Sequence, residues 1–358
     1  MERLINRKNI LVTGHTGFKG SWLCLWLCTL GANVTGYSLD NADPHSNFLL
    51  SGLNKCIKHI VGDIRDADSL KKAFQAAKPD AVVHLAAQPI VRHALADPRY
   101  TYDVNVMGTL NVLEEIKACS SCLGGVLITS DKCYDNQEWV WGYRENDRIG
   151  GHDIYSSSKG CDELLIAAYR HSYPAHFGSS GKMLLSARAG NVVGGGDWGA
   201  YRLVPDCIRS LKAGETIVLR SPRSVRPWQH VLEPLSGYIT LLEKVLGEDH
   251  RFEGGWNFGP DAAGIITVEQ LVSKIIGEWG SGSYTCDDAG SMPEANLLNL
   301  DASKARYMLH WSPVWDIDKT VAKTVEWYKQ SEDSDAAALC ANQISEYTKG
   351  MNKMLLES

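Results

Sequence analysis

Ser130, Asp131 and Lys132 stand side by side in "TSDKCYDN", immediately after the apolar run "GGVLI". A hydroxyl, a carboxyl and an amine in that position can steer, donate and accept protons, and strand ends in parallel sheets are where ligands sit. A polar turn leaving a buried strand would look the same. The segment "YSSSK" places Tyr155 and Lys159 four apart at the start of the helix-like "GCDELLIAAYRHS". Residues i and i+4 share a helix face. An ammonium beside a phenol favours phenolate, which predicts a Tyr155 pKa below its ordinary value of about 10. Such a base can remove a hydroxyl proton while hydride leaves the same carbon.

Hydride needs an acceptor. The turn "TGHTGFKG" spaces Gly14, Gly17 and Gly20 as GxxGxxG between a strand-like and a helix-like run. Glycine there permits a tight turn, close approach of backbone N–H groups to a pyrophosphate, and helix–strand packing. The second strand is read as ending in Asp40, 26 residues after Gly14. A carboxylate at that place accepts hydrogen bonds from a ribose 2′-OH and repels a 2′-phosphate, so NAD is favoured over NADP. The alternative for Asp40 is a turn cap in "LDNADP".

The elements that would position these groups alternate. "NILVTG", "NVTGYSL", "IKHIVGD", "AVVHLAA", "GGVLITS" and "MLLSARAGNVV" are short apolar runs, separated by "SWLCLWLCTLG", "DADSLKKAFQAAKP" and "TLNVLEEIKAC" with helical spacing. Asp66 or Asp68 is positioned to cap the second helix. The alternation predicts an α/β fold, a doubly wound parallel sheet of the Rossmann type over residues 1–190. After about residue 190 loop-rich "GGGDWGAYRLVPD" and "RSPRSVRPWQHV" precede two further helical patterns. They predict a smaller C-terminal substrate domain, 191–330, with segments around 226–255 returning to the sheet and a tail at 331–358.

The 358 residues, 44% hydrophobic and 22% charged, suit a globular protein of about two domains. A formal net charge of −6 argues against general affinity for nucleic acid or anionic membrane. No apolar run approaches the roughly 18 residues of a spanning helix, and "MERLINRKNILVTGHTG" does not read as a signal peptide. The ten cysteines are scattered, with Cys24, Cys28 and Cys161 inside apolar segments. They read as reduced cytoplasmic thiols. Cys119-x-x-Cys122 lacks the partners of a zinc site, so no metal is expected.

Taken together, TGHTGFKG, HLAAQP, TSD and YSSSK resemble the extended short-chain dehydrogenases/reductases, in their nucleotide-sugar dehydratase/epimerase branch. The likeness continues through "RAGNVVGGGDW", "RPWQHV" and "WNFGP". The long strings "TSDKCYDNQEWVWGYRE" and "RPWQHVLEPLSGY" are similar to the members that act on CDP-glucose. Dehydratases of this branch carry Thr-Asp-Glu where this chain has Ser130, Asp131 and Lys132; the lysine fits the CDP-glucose type.

The resemblance implies a lyase that oxidises the sugar at C4, eliminates water across C5–C6 and returns hydride to C6, on the route to the 3,6-dideoxyhexoses of lipopolysaccharide O-antigen. Tyr155 with Lys159 would take the C4 hydroxyl proton and Ser130 would steer that hydroxyl. Asp131 would be the acid at C6 if its pKa is raised. Lys132 would be the base at C5 if burial or Lys159 lowers its own. NAD would be held by Gly14, Thr16, Gly17, Phe18, Lys19, Gly20, Asp40, Asp63, Ile64, Leu85, Ala86 and Ala87, besides Tyr155 and Lys159. Gln88, Arg92, Asn191, Arg202 and Arg226 would meet the substrate; Arg209, Lys212 and Arg223 read as a solvated basic loop. A homodimer or dimer of dimers is implied. The competing readings are another nucleotide-sugar dehydratase, a 4-epimerase, and an NAD-sensing binding protein; the last has no use for the proton-handling set.

Overall fold

The computed structural model describes residues 2–41, 43–287, 297–331 and 335–357. The first six strands are β1 (Asn9–Thr13), β2 (Asn33–Ser38), β3 (Lys58–Val61), β4 (Ala81–His84), β5 (Gly124–Ile128) and β6 (Met183–Ala189). With a later strand they form one parallel sheet, ordered β3-β2-β1-β4-β5-β6 and then the later strand. The order reverses between β1 and β4, and the crevice above their carboxyl ends is where such sheets take ligands. Four helices are used below: α1 (Phe18–Thr29), α2 (Ala67–Ala77), α3 (Gly108–Ala118) and α4 (Ile154–Ser172). Asp66, not Asp68, caps α2, accepting from the Ser69 N–H.

The run "MLLSARAGNVV", expected as one strand, divides. β6 stays in the main sheet, the chain turns at Gly190, and β7 (Asn191–Val193) pairs instead with β9 (Val225–His230). Between them lie α5 (Leu203–Ala213) and β8 (Ile217–Leu219). Helix α6 (Leu232–Leu246) then packs on β4, β5 and β6, and β10 (Gly254–Phe258) takes the open edge beside β6 as the seventh strand. The smaller α/β unit is completed by β11 (Ile265–Thr267), antiparallel to β9, by α7 (Val268–Trp279), by β12 (Tyr284–Cys286), parallel to β8, and by α8 (Ile317–Gln330). The last helix is α9 (Ala336–Glu357). Residues 332–334 and 358 of the expected tail lie outside the described residues.

One apolar core lies on each face of the main sheet. Leu11, Val82, Leu113, Ile116 and Ile166 fill one side. The other side, with Trp22, Leu27, Leu235 and Leu242, continues into the smaller unit through Ile208, Leu271 and Trp327. Helix α1 carries apolar residues on nearly every face because α9 covers the side that the sheet does not; Trp26 meets Tyr347 edge to face at 5.6 Å. All ten cysteines are free thiols. Among the described residues no helix is long and apolar enough to cross a membrane, and no cluster of three or more His, Cys, Asp or Glu side chains is placed to hold a metal.

Candidate active site

The glycine turn is built by exclusion. Gly14 has φ +75°, and a Cβ there would stand 2.6 Å from the Ala86 nitrogen. A Cβ on Gly20 would stand 2.2 Å from the Gly14 oxygen. Both positions therefore admit only glycine. Gly17 is the N-cap of α1, has no capping side chain, and no acid occupies the first turn. The first-turn N–H groups of that 12-residue helix remain available to an anion. Leu85, Ala86 and Ala87 follow β4 against this turn, the Leu85 N–H donating to the Thr13 carbonyl at 3.1 Å.

Asp40 lies beside the same turn, although β2 ends at Ser38, two residues before the expected place. A twisted loop carries it out to solvent, where it is exposed. The Thr16 and Ser38 hydroxyls hydrogen-bond at 2.8 Å, and the Asn41 amide donates to the Thr16 carbonyl at 3.0 Å, so turn and loop are stitched together. Ile64 is buried against Gly108. Asp63 is engaged with Arg65 at 2.6 Å, which holds its carboxyl below the usual range.

At the end of β5, Ser130 caps a single 3₁₀ turn, Asp131–Cys133. Its Oγ accepts from the Lys132 N–H at 3.2 Å and donates to Asp131 Oδ1 at 3.0 Å. Asp131 is 4% exposed, and burial raises its carboxyl pKa against the pull of Lys132, Ser130, Lys19 and Arg226. That is the condition set for a proton donor. Lys132 is half-buried.

Opposite this turn, Asp153 caps α4 by accepting from the Ser156 N–H at 3.0 Å, and Tyr155 and Lys159 follow on the buried face. The expected direction for Tyr155 is reversed. Burial raises the phenol, and the Lys159 charge and the Ser130 hydroxyl only oppose it. The Lys159 amine is itself buried and bonded to Asp162 Oδ2 at 2.9 Å. The turn-side residue Lys19 also belongs here: burial and Arg202 push its amine down to about 8, and Asp131 and Asp197 pull it back.

From the smaller unit come three of the residues expected at the substrate. Asn191 opens β7 opposite Trp228. Arg226 is buried on β9, and its charge reaches Asp131. Arg202 precedes α5, pairs with Asp197 at 3.0 Å, and its charge reaches Tyr155. Arg92, in the short helix Val91–Ala96, lies over the Tyr201 ring at 4.8 Å. Gln88 stands apart from the rest. Its amide donates to Thr101 at 2.9 Å and accepts from the Ile90 N–H at 2.6 Å, so it fastens its own loop. Arg209 and Lys212 are on α5 rather than in a loop; Arg209 pairs with Asp206, and Lys212 lies over Trp198.

One buried cluster went unread in the sequence. Glu163 accepts from Arg188, from the Thr129 hydroxyl at 2.5 Å and from the Ser186 hydroxyl at 2.8 Å, directly behind Ser130. The signal was Arg188 standing at a strand position with no charge near it in sequence.

Residues 11–324 match the family described as GDP-mannose 4,6 dehydratase. The CDP-glucose 4,6-dehydratase of Salmonella typhimurium is 47% identical over 344 residues, covering 95% of this chain and 96% of that protein. The chain belongs to the nucleotide-sugar 4,6-dehydratase/epimerase family. Among solved structures, an epimerase of Methanothermobacter thermautotrophicus has the same fold at TM-score 0.78 and 22% identity, covering 93% of this chain and 95% of that one. The dTDP-glucose 4,6-dehydratase of Bacillus anthracis, solved in complex with NAD, matches at TM-score 0.75 and 21% identity, covering 91% and 98%.

Proposed function

We propose that this member of the family is an NAD-dependent CDP-glucose 4,6-dehydratase. The observation that carries the reading is the Ser130–Asp131–Lys132 turn facing Tyr155 and Lys159, in a chain 47% identical to a relative of that name. The cradle fits a dinucleotide: Gly14 and Gly20 admit no side chain, and α1 presents uncapped N–H groups. Gly14, Thr16, Gly17, Phe18, Lys19 and Gly20 would hold the pyrophosphate, Asp40 the adenine ribose, Asp63 and Ile64 the adenine, and Leu85, Ala86 and Ala87 the middle of the molecule. The chemistry NAD supplies when bound is a hydride sink and source, taking from C4 and giving back at C6.

The protein's own groups handle the protons. Tyr155 receives the C4 hydroxyl proton, with Ser130 holding that hydroxyl and the Lys159 charge steadying the phenolate. The resulting C4 carbonyl makes the C5 hydrogen acidic. Lys132 removes it, while Asp131, kept protonated by burial, gives its proton to the departing C6 hydroxyl as water; when hydride reaches C6, the proton on Lys132 passes back to C5. Arg202 and Arg226 would take the diphosphate, since a guanidinium fork matches phosphate oxygens. Asn191 and Arg92 would complete the sugar's surroundings, and Gln88 would shape the wall from behind.

We further propose a cytoplasmic enzyme working as a homodimer or dimer of dimers through α3 and α4; Leu164, 61% exposed on α4, supports that face. Incubation with CDP-, dTDP-, GDP- and UDP-glucose, followed by mass spectrometry, tests the reading. Loss of one water from CDP-glucose, with little from dTDP-glucose, is expected. Equal kcat/KM for those two would refute the base preference, and a C4 epimer without water loss would establish an epimerase.

A further inference from the structure

Lys159 and Asp162 lie three apart on α4, and their side chains meet in the interior: Lys159 Nζ donates to Asp162 Oδ2 at 2.9 Å. Those side chains are 4% and 2% exposed, so solvent neither screens nor replaces the contact. The proposed reaction uses Lys159 and leaves Asp162 without a task. We propose that Asp162 is a positioning residue for the Tyr155–Lys159 pair, keeping the Lys159 amine charged and fixed in direction where burial alone would discharge it. The proposal rests on the roles given above to Tyr155 and Lys159.

A lone buried ammonium gives up its proton rather than stay charged without a partner. The groups around the pair leave that partnership to Asp162. On α4 itself, Glu163 is already matched to Arg188. From β4, His84 is held neutral, pushed down to about 3 by burial and by the Lys159 charge, so it offers no anion. From α1, Lys19 is a second cation whose field reaches Lys159. Asp131 and Arg202 face Tyr155 from the turn after β5 and from the smaller unit. Asp162 is the carboxylate in hydrogen-bond contact, and burial pushes it up to about 6 against the pull of Lys159.

The contact also directs the amine. An ammonium has three N–H donors; with one committed to Asp162, two remain for Tyr155 and a bound cofactor. The second carboxylate oxygen, Asp162 Oδ1, is buried without a hydrogen-bond partner, so the Lys159 amine is the contact that holds Asp162; nearby, Thr109 Oγ1 is 3.1 Å from His84 Nε2, and His84 Nδ1 is 2.6 Å from the Thr13 hydroxyl.

Asp162→Asn keeps the shape and removes the charge, and Asp162→Glu keeps the charge. Lysines labelled with ¹³C at Cε report each amine's ionisation by NMR, the Lys159 signal being the one missing from Lys159→Met. In Asp162→Asn the Lys159 signal should titrate lower by about one unit or more. The limb on which kcat/KM rises with pH should move alkaline by a similar amount, because Tyr155 loses its neighbouring charge. Asp162→Glu should restore most of both. A folded Asp162→Asn protein with an unmoved Lys159 titration and pH profile overturns the proposal, even if its melting temperature falls. Should Asp162→Asn not fold, Asp162→Ser is read the same way, with the same result overturning. Failure of the underlying roles would look different: Tyr155→Phe would stay active whatever the Lys159 signal did.

Discussion

Arg188 and Glu163 form a two-pronged buried ion pair, Nη2 to Oε2 at 2.7 Å and Nε to Oε1 at 2.9 Å, behind the strand end that carries Ser130. The Arg188 fork also donates to the Tyr134 hydroxyl at 2.6 Å, which in turn donates to Asn257 Oδ1 at 2.8 Å on β10. This frame fixes the 3₁₀ turn from below. Removing one partner leaves the other charge buried, and such losses cost about 3–5 kcal/mol. Glu163→Gln should therefore lower the unfolding free energy by that amount in urea titrations. A change under about 1 kcal/mol would show that the pair relaxes or hydrates.

Tyr155→Phe should fold normally and lower kcat by about 10²–10⁴, the range for losing a general base. Rapid mixing with CDP-glucose should show no absorbance of reduced nicotinamide. Reduction at the wild-type rate would place the base elsewhere.

Lys132→Met should spare the first hydride step and impair the elimination. In deuterated water the native enzyme should place solvent deuterium at C5, and the variant should lose that incorporation by about 10² or more. Undiminished uptake in the folded variant would assign the C5 proton to another group.

Asp131 has a stability signature of its own. Its folded pKa lies above the unfolded value of about 3.9. The folded state thus binds the proton more tightly, and stability falls as pH rises between the unfolded and folded values, then stays lower by a constant amount. Asp131→Asn should melt higher than the native protein at neutral pH, with the difference closing in acid below the unfolded value, while dehydration is lost. A lower melting temperature across the whole range would mean that the Ser130 contact outweighs the burial of charge.

Asp40→Ala should narrow the preference for NAD over NADP, read as the ratio of their affinities for protein stripped of cofactor. An unchanged ratio would remove Asp40 from the ribose.

The sheet was legible because its strands are short apolar runs with turn signals at both ends, and the glycine turn because its spacing sits between a strand and a helix. A cap at Asp66 or Asp68 was readable from their place, and the fold selects Asp66. What escaped has a common cause. Gly190 divides "MLLSARAGNVV" because β7 pairs with β9, a strand more than thirty residues ahead. The direction of the Tyr155 shift depends on how deeply the phenol is buried, and periodicity does not report depth. Gln88 is turned inward by Thr101 and Ile90, partners that only the folded loop brings together. Asp162 stood in view at i+3 from Lys159; whether that contact is wet or dry was not.

The covering of α1 by α9 has a consequence for synthesis. Trp26 and Tyr347 are 321 positions apart in the chain. At roughly 5–20 residues per second, a ribosome needs on the order of 15–65 s to make the second after the first. Throughout that interval the face of α1 that α9 will cover stays open, and Trp26 lacks its Tyr347 partner while the rest of the helix can already pack on β1 and β2.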